Sequence, residues 1–347
     1  MNEIDIKSMR PNEIEKFIAD IGIPKYRAGQ IFKWLHRGVR SFDEMTDLPK
    51  ELRGVLAEKC YIANAEIIKE SRSRLDNTRK FLVKLYDKET VETVLMEYHH
   101  GLSACISTQV GCKMGCAFCV TGQCGFVRDL TASEMLAQVT AVQQAVGARI
   151  SNIVLMGMGE PLDNFDHVLR FLELLSHPDG LGIGARHVSV STCGLVDKIR
   201  ELIPMKPQFT LSVSLHAPND EIRSRTMPIN KRWGVGELLE ACREYTEAVG
   251  RRISFEYALI KGENDSDDCA EELASRLRGM LCHVNLIPVN KSQIGDYVKP
   301  DAARINRFRE ILEQRGINAT VRRTLGADID ASCGQLKIRN AEIGMRN

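Results

Sequence analysis

The chain has no run of about 18 consecutive apolar residues, so no segment of it is expected to cross a bilayer as a helix. Its opening stretch, MNEIDIKSMRPNEIEKF, is charged and lacks the apolar core of a secretory leader, which points to the cytosol. Net charge is nearly absent too: 47 Lys and Arg stand against 46 Asp and Glu. A formal charge of +1 gives no global pull toward nucleic acid or membrane, so any RNA contact must use a local basic patch. No low-complexity tract and no solenoid repeat is present. What remains is ordinary globular composition over 347 residues, enough for one large domain with an appendage or for two domains.

Cysteine, by contrast, is abundant. Eleven in a cytosolic chain argue for metal binding or catalysis and against a disulfide framework. Cys60, Cys242, Cys269 and Cys282 sit in helix-like or strand-like contexts and read as buried small hydrophobes. Cys112, Cys116 and Cys119 differ, because they form a C-x-x-x-C-x-x-C motif. Three thiolates can hold three irons of a cubane [4Fe-4S] cluster and leave the fourth iron open. Electron-transfer clusters usually take four cysteines, and structural zinc usually closes with four ligands. An open iron binds a substrate or a second cofactor, so the trio points to chemistry. Gly111 and Gly115 allow the loop to fold tightly, and Phe118 is placed to shield a cluster from solvent.

Periodicity divides the chain. Helices are expected over 12–21, 27–37 and 51–60, followed by three strands at 65–69, 80–86 and 92–96 with polar turns at 73–77 and 87–89. This is a small helix-plus-meander appendage over 1–100. From there strands and helices alternate, with strands expected at 104–109, 152–156, 187–191, 210–215, 254–260 and 283–288. The clearest helix, 132–145, opens on Thr131-Ala-Ser-Glu134, a capping box in which both side chains satisfy free N–H groups. Alternating β and α units with apolar strands imply a parallel sheet. Six units are too few for a closed eight-fold barrel, so the expected fold class is α/β, an open partial (β/α)6 barrel over 101–295. A further extension covers 296–347. Active sites on such sheets lie at the carboxyl ends of the strands, where most of the notable motifs fall.

The cluster motif, with an aromatic before its last cysteine, resembles that of the radical S-adenosylmethionine superfamily. That resemblance implies that the open iron chelates S-adenosylmethionine and that an electron from the cluster cleaves it to a 5'-deoxyadenosyl radical. The cofactor carries this chemistry; the protein holds and aims it. Gly157-Met158-Gly159-Glu160-Pro161, at the end of the second strand, is similar to the superfamily's Gly-Gly-Glu-Pro element. Gly159 would allow close backbone approach, and Glu160 would meet the methionyl ammonium. Ser191, the run Ser214-Leu215-His216, and Asn290 lie at later strand ends and are candidates for the rest of the cofactor.

Cys105, seven residues before the cluster loop, and Cys333, in the Gly- and Asp-rich stretch Gly326-Ala-Asp-Ile-Asp-Ala-Ser-Cys333, narrow the resemblance. Together with Tyr26-Arg-Ala-Gly-Gln-Ile-Phe-Lys-Trp34, Val91-Glu-Thr-Val94 and the stretches at 214–218 and 223–230, they resemble the RlmN/Cfr family of RNA adenosine methyltransferases over nearly the whole chain. The family implies two S-adenosylmethionines per turnover: one methylates Cys333, and the other yields the radical that takes a hydrogen from the S-methyl group. It implies that the resulting carbon joins an adenine ring and that Cys105 releases the product by forming a disulfide with Cys333. Glu92 matches the family's proton acceptor. The implied substrate is carbon 2 of an adenosine in 23S ribosomal RNA, with tRNA as a second substrate. The alternative within the family is carbon 8, linked to antibiotic resistance. A small electron donor such as flavodoxin or ferredoxin, and a monomeric state, are also implied.

Cys124 and Cys193 depart from the family pattern and read as surplus thiols or a lineage feature; a fourth cluster ligand at Cys124 would block the cofactor. Candidate RNA contacts are Arg72, Arg74, Arg79 and Lys80, Arg251 and Arg252, and Arg322 and Arg323. The target adenine must leave its stack to reach a buried site, which favours loop or single-stranded RNA. Two rivals stand: an iron-sulfur or zinc RNA-binding module without catalysis, and a radical enzyme acting on protein. The second leaves Cys105 and Cys333 unexplained.

Overall fold

The computed structural model describes residues 4–289 and 297–336. Three N-terminal helices, Pro11–Asp20, Arg27–Arg37 and Lys50–Lys59, match the expected positions within a residue or two. The second ends at Gly38, whose left-handed backbone (φ 87°) closes it. The strands that follow are β1 (Glu66–Arg72), β2 (Arg79–Lys84), β3 (Thr90–Tyr98), β4 (Gly101–Cys105), β5 (Ile150–Leu155), β6 (Val188–Thr192), β7 (Thr210–Ser214), β8 (Ile253–Leu259), β9 (Cys282–Pro288) and β10 (Ala319–Val321).

All ten strands form one sheet in their sequence order. From β4 to β10 every neighbouring pair is parallel. The parallel part therefore has seven strands, one more than the six-unit expectation, because Ala319–Val321 adds to the edge of β9. The meander is not separate from this sheet. Strand β3 pairs antiparallel with β4, setting Val94 opposite Cys105, and β1 and β2 continue the sheet outward. The accessory strands thus share a backbone ladder with the strand that delivers Cys105.

Helices Ala132–Val146, Phe165–Ser176, Val196–Leu202, Val235–Val249, Asp267–Leu277 and Ala302–Gln314 fall in turn between the parallel strands. Such crossovers need helices to return the chain, and their apolar faces cover the sheet. Helix Ala132–Val146 is capped as its sequence suggests. Thr131 Oγ1 accepts from Glu134 N at 3.3 Å, and Glu134 Oε2 accepts from Thr131 N at 3.0 Å. Among the described residues no helix is long and apolar enough to cross a membrane.

His36, in helix Arg27–Arg37, is buried with neither ring nitrogen bonded. Burial, aided by Lys7, pulls its pKa from 6.5 down to about 3. The native state therefore holds it neutral while the unfolded chain binds a proton, so stability is full above pH 6.5 and falls as pH drops toward 3. The urea midpoint of the wild type is expected to fall between pH 7 and about 5. His36→Phe should flatten that fall; an unchanged slope would contradict it.

Candidate active site

The carboxyl ends of the parallel strands surround a cleft of about 1050 Å³. Cys112, Cys116 and Cys119 line it, on the loop that follows β4 and a short strand at Gln109–Gly111. That loop depends on glycine. At Gly111 (φ 82°) a Cβ would lie 2.0 Å from the Gly125 carbonyl oxygen, so the backbone can close there only without a side chain. Burial pushes the Cys112 thiol up to about 12 and raises Cys116 and Cys119 as well. Thiols so buried stay protonated until a metal draws the proton off.

Among the described residues, no three His, Cys, Asp or Glu side chains converge tightly enough to hold a single metal ion. A lone zinc needs all its ligands about 2.0–2.3 Å from one centre. A cubane gives each thiolate its own iron, and the three thiols share the wall of one cleft, a donor set that fits a cluster.

Gly157, Gly159 and Glu160 line the same cleft. A Cβ at Gly157 would meet the Ile106 carbonyl oxygen at 2.5 Å, and one at Gly159 (φ 106°) would meet Gln109 Cβ at 2.7 Å. The Gly-x-Gly-Glu-Pro turn therefore lies flush on residues 106–109, the segment that leads into the cluster loop. Glu160 is buried, and desolvation raises its pKa although Oε2 accepts from Cys193 N at 2.7 Å and Oε1 from Leu162 N at 3.0 Å. A buried carboxylate held by two amides suits a cationic ligand group.

Ser191, Ser214 and His216 reach the same cleft. His216 has a left-handed backbone (φ 58°), and its Nδ1 accepts from Ala258 N at 2.9 Å. Burial, then the nearby Arg223, lowers it to about 3, so the ring is neutral. It packs edge-on against Phe118, with centroids 4.9 Å apart. Phe118 thus walls the cleft as its place in the motif suggested. Leu215 does not line the cleft; its side chain is in the core and its carbonyl accepts from Arg223 Nε at 3.1 Å. Asn290 lies outside the described residues. Arg223, wholly buried, also donates to the carbonyls of Cys193 and Ser214, tying two strand ends together.

Cys333 is exposed and belongs to the cleft wall. With Cys105 it also lines a second cavity of about 570 Å³. All eleven cysteines are free thiols, so the Cys105–Cys333 disulfide implied by the resemblance is not formed in this structure. Burial pushes Cys105 up to about 12, with Cys333 adding to the rise and Arg322 opposing it. Glu92 lies elsewhere. It faces a separate cavity of about 590 Å³ with Lys80 and Asp328, Ile329 and Asp330 of the Cys333 loop.

Three residues stand differently from their sequence reading. Arg322 is partly buried and lines both cavities, 4.0 Å from Glu256. Lys80 is buried against Glu92. Cys193, taken as surplus, lines the cleft beside Glu160. Glu256 was missed altogether. It accepts from Asn285 Nδ2 at 2.6 Å and is raised by burial. A lone carboxylate inside the apolar strand Ile253–Leu259 is the sequence signal that would have found it.

Comparison with known proteins agrees with this geometry. The Radical SAM superfamily model matches residues 106–273, and the model described as Ribosomal RNA large subunit methyltransferase N-terminal domain matches residues 4–62. A protein of Alkaliphilus oremlandii named "Probable dual-specificity RNA methyltransferase RlmN" is 51% identical, over 99% of this chain and all of its own length. The chain belongs to the RlmN family. A second RlmN, from Lachnospira eligens, is 48% identical over 97% of each chain. The crystal structure of a radical SAM methyltransferase from Sphaerobacter thermophilus, 47% identical, superposes with a TM-score of 0.91 and covers 96% of this chain and 99% of that one. The RlmN N-terminal match coincides with the three N-terminal helices, and the radical SAM match begins one residue after Cys105.

Proposed function

We propose that the chain methylates carbon 2 of an adenosine in 23S ribosomal RNA, with tRNA as a second substrate, as a cytoplasmic monomer served by a flavodoxin- or ferredoxin-like donor. The observation that carries this reading is geometric. Cys333 lines the same cleft as Cys112, Cys116 and Cys119 and shares a second cavity with Cys105. A [4Fe-4S] cluster on the three thiolates, with S-adenosylmethionine beside Glu160, supplies a 5'-deoxyadenosyl radical on one-electron reduction.

The protein's own groups then divide the work. Cys333, as thiolate, takes the methyl group of one S-adenosylmethionine by displacement. Loss of one hydrogen atom leaves a carbon radical on that side chain, which adds to the adenine ring. The adduct loses its ring proton and returns the one electron that opened the cycle; the family resemblance gives the acceptor role to Glu92, which lines its own cavity against residues 328–330 of the Cys333 loop. Cys105 attacks the Cys333 sulfur. The carbon–sulfur bond breaks toward carbon, a proton completes the methyl group, and the resulting disulfide is reduced by an external dithiol.

With Cys105 near 12, its thiolate is scarce at neutral pH. Release of the RNA adduct is therefore expected to quicken about tenfold per pH unit between about 7 and 9. A flat profile from rapid-quench sampling would contradict this. Gly159→Ala forces a Cβ into Gln109 at a left-handed φ and is expected to weaken S-adenosylmethionine binding at least about tenfold. Equilibrium dialysis on cluster-loaded protein reads that loss. The function itself is tested by digesting reacted 23S RNA and matching the nucleoside by mass spectrometry to 2-methyl- and 8-methyladenosine. The 2-methyl isomer is expected, and the 8-methyl isomer would move the chain to the alternative reading.

A further inference from the structure

Lys80, on β2, is only 5% exposed, although lysine is seldom buried unless paired. Its ammonium lies 3.3 Å from Glu92 Oε1, and that carboxylate is as deeply buried. The same ammonium donates to the backbone carbonyl of Asp330 at 2.9 Å. Asp330 stands three residues before Cys333 in the sequence. One cation therefore touches both the carboxylate read as ring-proton acceptor and the loop read as methyl carrier.

The turn between β1 and β2 holds that loop at further points. Asp76 Oδ2 accepts from Gly326 N at 3.0 Å. Asp328 accepts from Ser73 Oγ at 2.7 Å and from Arg74 N at 2.8 Å. Gly326 (φ 61°) is pressed against the turn so closely that a Cβ there would meet Thr78 Cγ2 at 2.8 Å. On the far side of Cys333, Val120 N donates to the Gly334 carbonyl at 2.7 Å and Thr121 Oγ1 to that of Leu336 at 2.6 Å. Cys333 is thus suspended between a clasp on the accessory hairpin and a clasp just after the cluster loop.

We propose that Lys80 is a positioning residue: it fixes the Cys333 loop and Glu92 relative to each other, so the accessory hairpin sets where the methyl carrier stands over the cleft. This rests on the roles given above to Cys333 and Glu92. A lysine serving only to neutralise Glu92 has no need of the Asp330 carbonyl. The bond to the loop backbone is what links the two groups, and the Asp76 and Asp328 contacts keep that backbone in reach. The sheet ladder extends the link, because Lys80 is paired with Val94, and Val94 with Cys105.

Two variants test it, Lys80→Met in the interior and Asp328→Asn on the surface. In cluster-loaded protein without RNA, hydrogen exchange of amides in 325–336 is expected to quicken at least about tenfold in Lys80→Met and by a smaller factor in Asp328→Asn. In turnover, the ratio of 5'-deoxyadenosine to methylated RNA is expected to rise at least about fivefold in Lys80→Met. A merely structural role would lower both products together and leave the ratio unchanged. Unchanged exchange in both variants, or a constant product ratio, overturns the proposal. If Lys80→Met fails to fold, Asp328→Asn decides it by the same two readouts. A wild type that makes no methylated RNA while its loop exchange still responds would instead overturn the functional reading, and the positioning role with it.

Discussion

Cys333→Ala is expected to make no methylated RNA, a loss of at least about 10⁴-fold, while its cluster still assembles and still cleaves S-adenosylmethionine. The reason lies in where the groups stand. Cys333 is exposed on a loop, whereas Glu160 is held by contacts of its own. Gln109 Oε1 accepts from Glu160 N at 2.9 Å, and Gln109 Nε2 donates to Asp129 and Asp163, none of which involves the Cys333 loop. Truncating an exposed side chain should change stability by no more than about 0.5 kcal/mol. The loss would therefore be chemical: no thiolate is left to carry the methyl group. Iron content, the cluster's visible absorption and 5'-deoxyadenosine formation should match the wild type, with methyladenosine absent from the RNA digest. Methylated RNA from this variant would remove the carrier from the mechanism.

Cys105→Ala is expected to behave in the opposite manner, reacting once and then holding its product. Cys105 ends β4, nearly buried, with Cys333 across a shared cavity. Without its sulfur nothing attacks the Cys333 sulfur, so the carbon–sulfur bond to the base cannot break. RNA should remain attached through Cys333, visible as a slow band on a denaturing gel and as a nucleotide-plus-methylene mass on the Cys333 peptide after nuclease digestion. The substitution trades a small buried thiol for a methyl group and should cost only about 1 kcal/mol of stability. Burst-limited turnover with accumulating adduct is the expected signature, whereas steady turnover would show that another group releases the RNA. The double variant Cys105→Ala, Cys333→Ala should form no adduct, which separates covalent capture from tight binding.

What the sequence showed in advance was local. The cluster trio is readable because its ligands lie within eight residues of one another, and the Thr131–Glu134 cap because it closes over three. Strand ends could be placed from apolar runs, so Ser191, Ser214, His216 and the Gly157–Pro161 turn were found near their true neighbours. What stayed hidden depends on pairing across long separations. Lys80 and Arg322 look like solvated basic residues in sequence; burial against Glu92 and Glu256 gives each a different task. The accessory meander reads as an appendage, yet the Val94–Cys105 register makes it part of the main sheet. The strand at Ala319–Val321 is not among the six expected units, because its place beside β9 follows only once the intervening helix returns the chain. Leu215 sits among residues that reach the cleft but points into the core, because alternate side chains at a strand end face opposite ways.

The most direct measurement is the fate of a trideuterated methyl group. With S-(methyl-d3)-adenosylmethionine as the only donor, a methyl group carried on Cys333 and activated by hydrogen abstraction should reach RNA with two deuteriums, the third appearing in 5'-deoxyadenosine. Mass spectrometry of the methyladenosine and of the 5'-deoxyadenosine reads both. Methyladenosine that keeps all three deuteriums would mean direct displacement onto RNA, and would contradict a radical mechanism with Cys333 as its carrier.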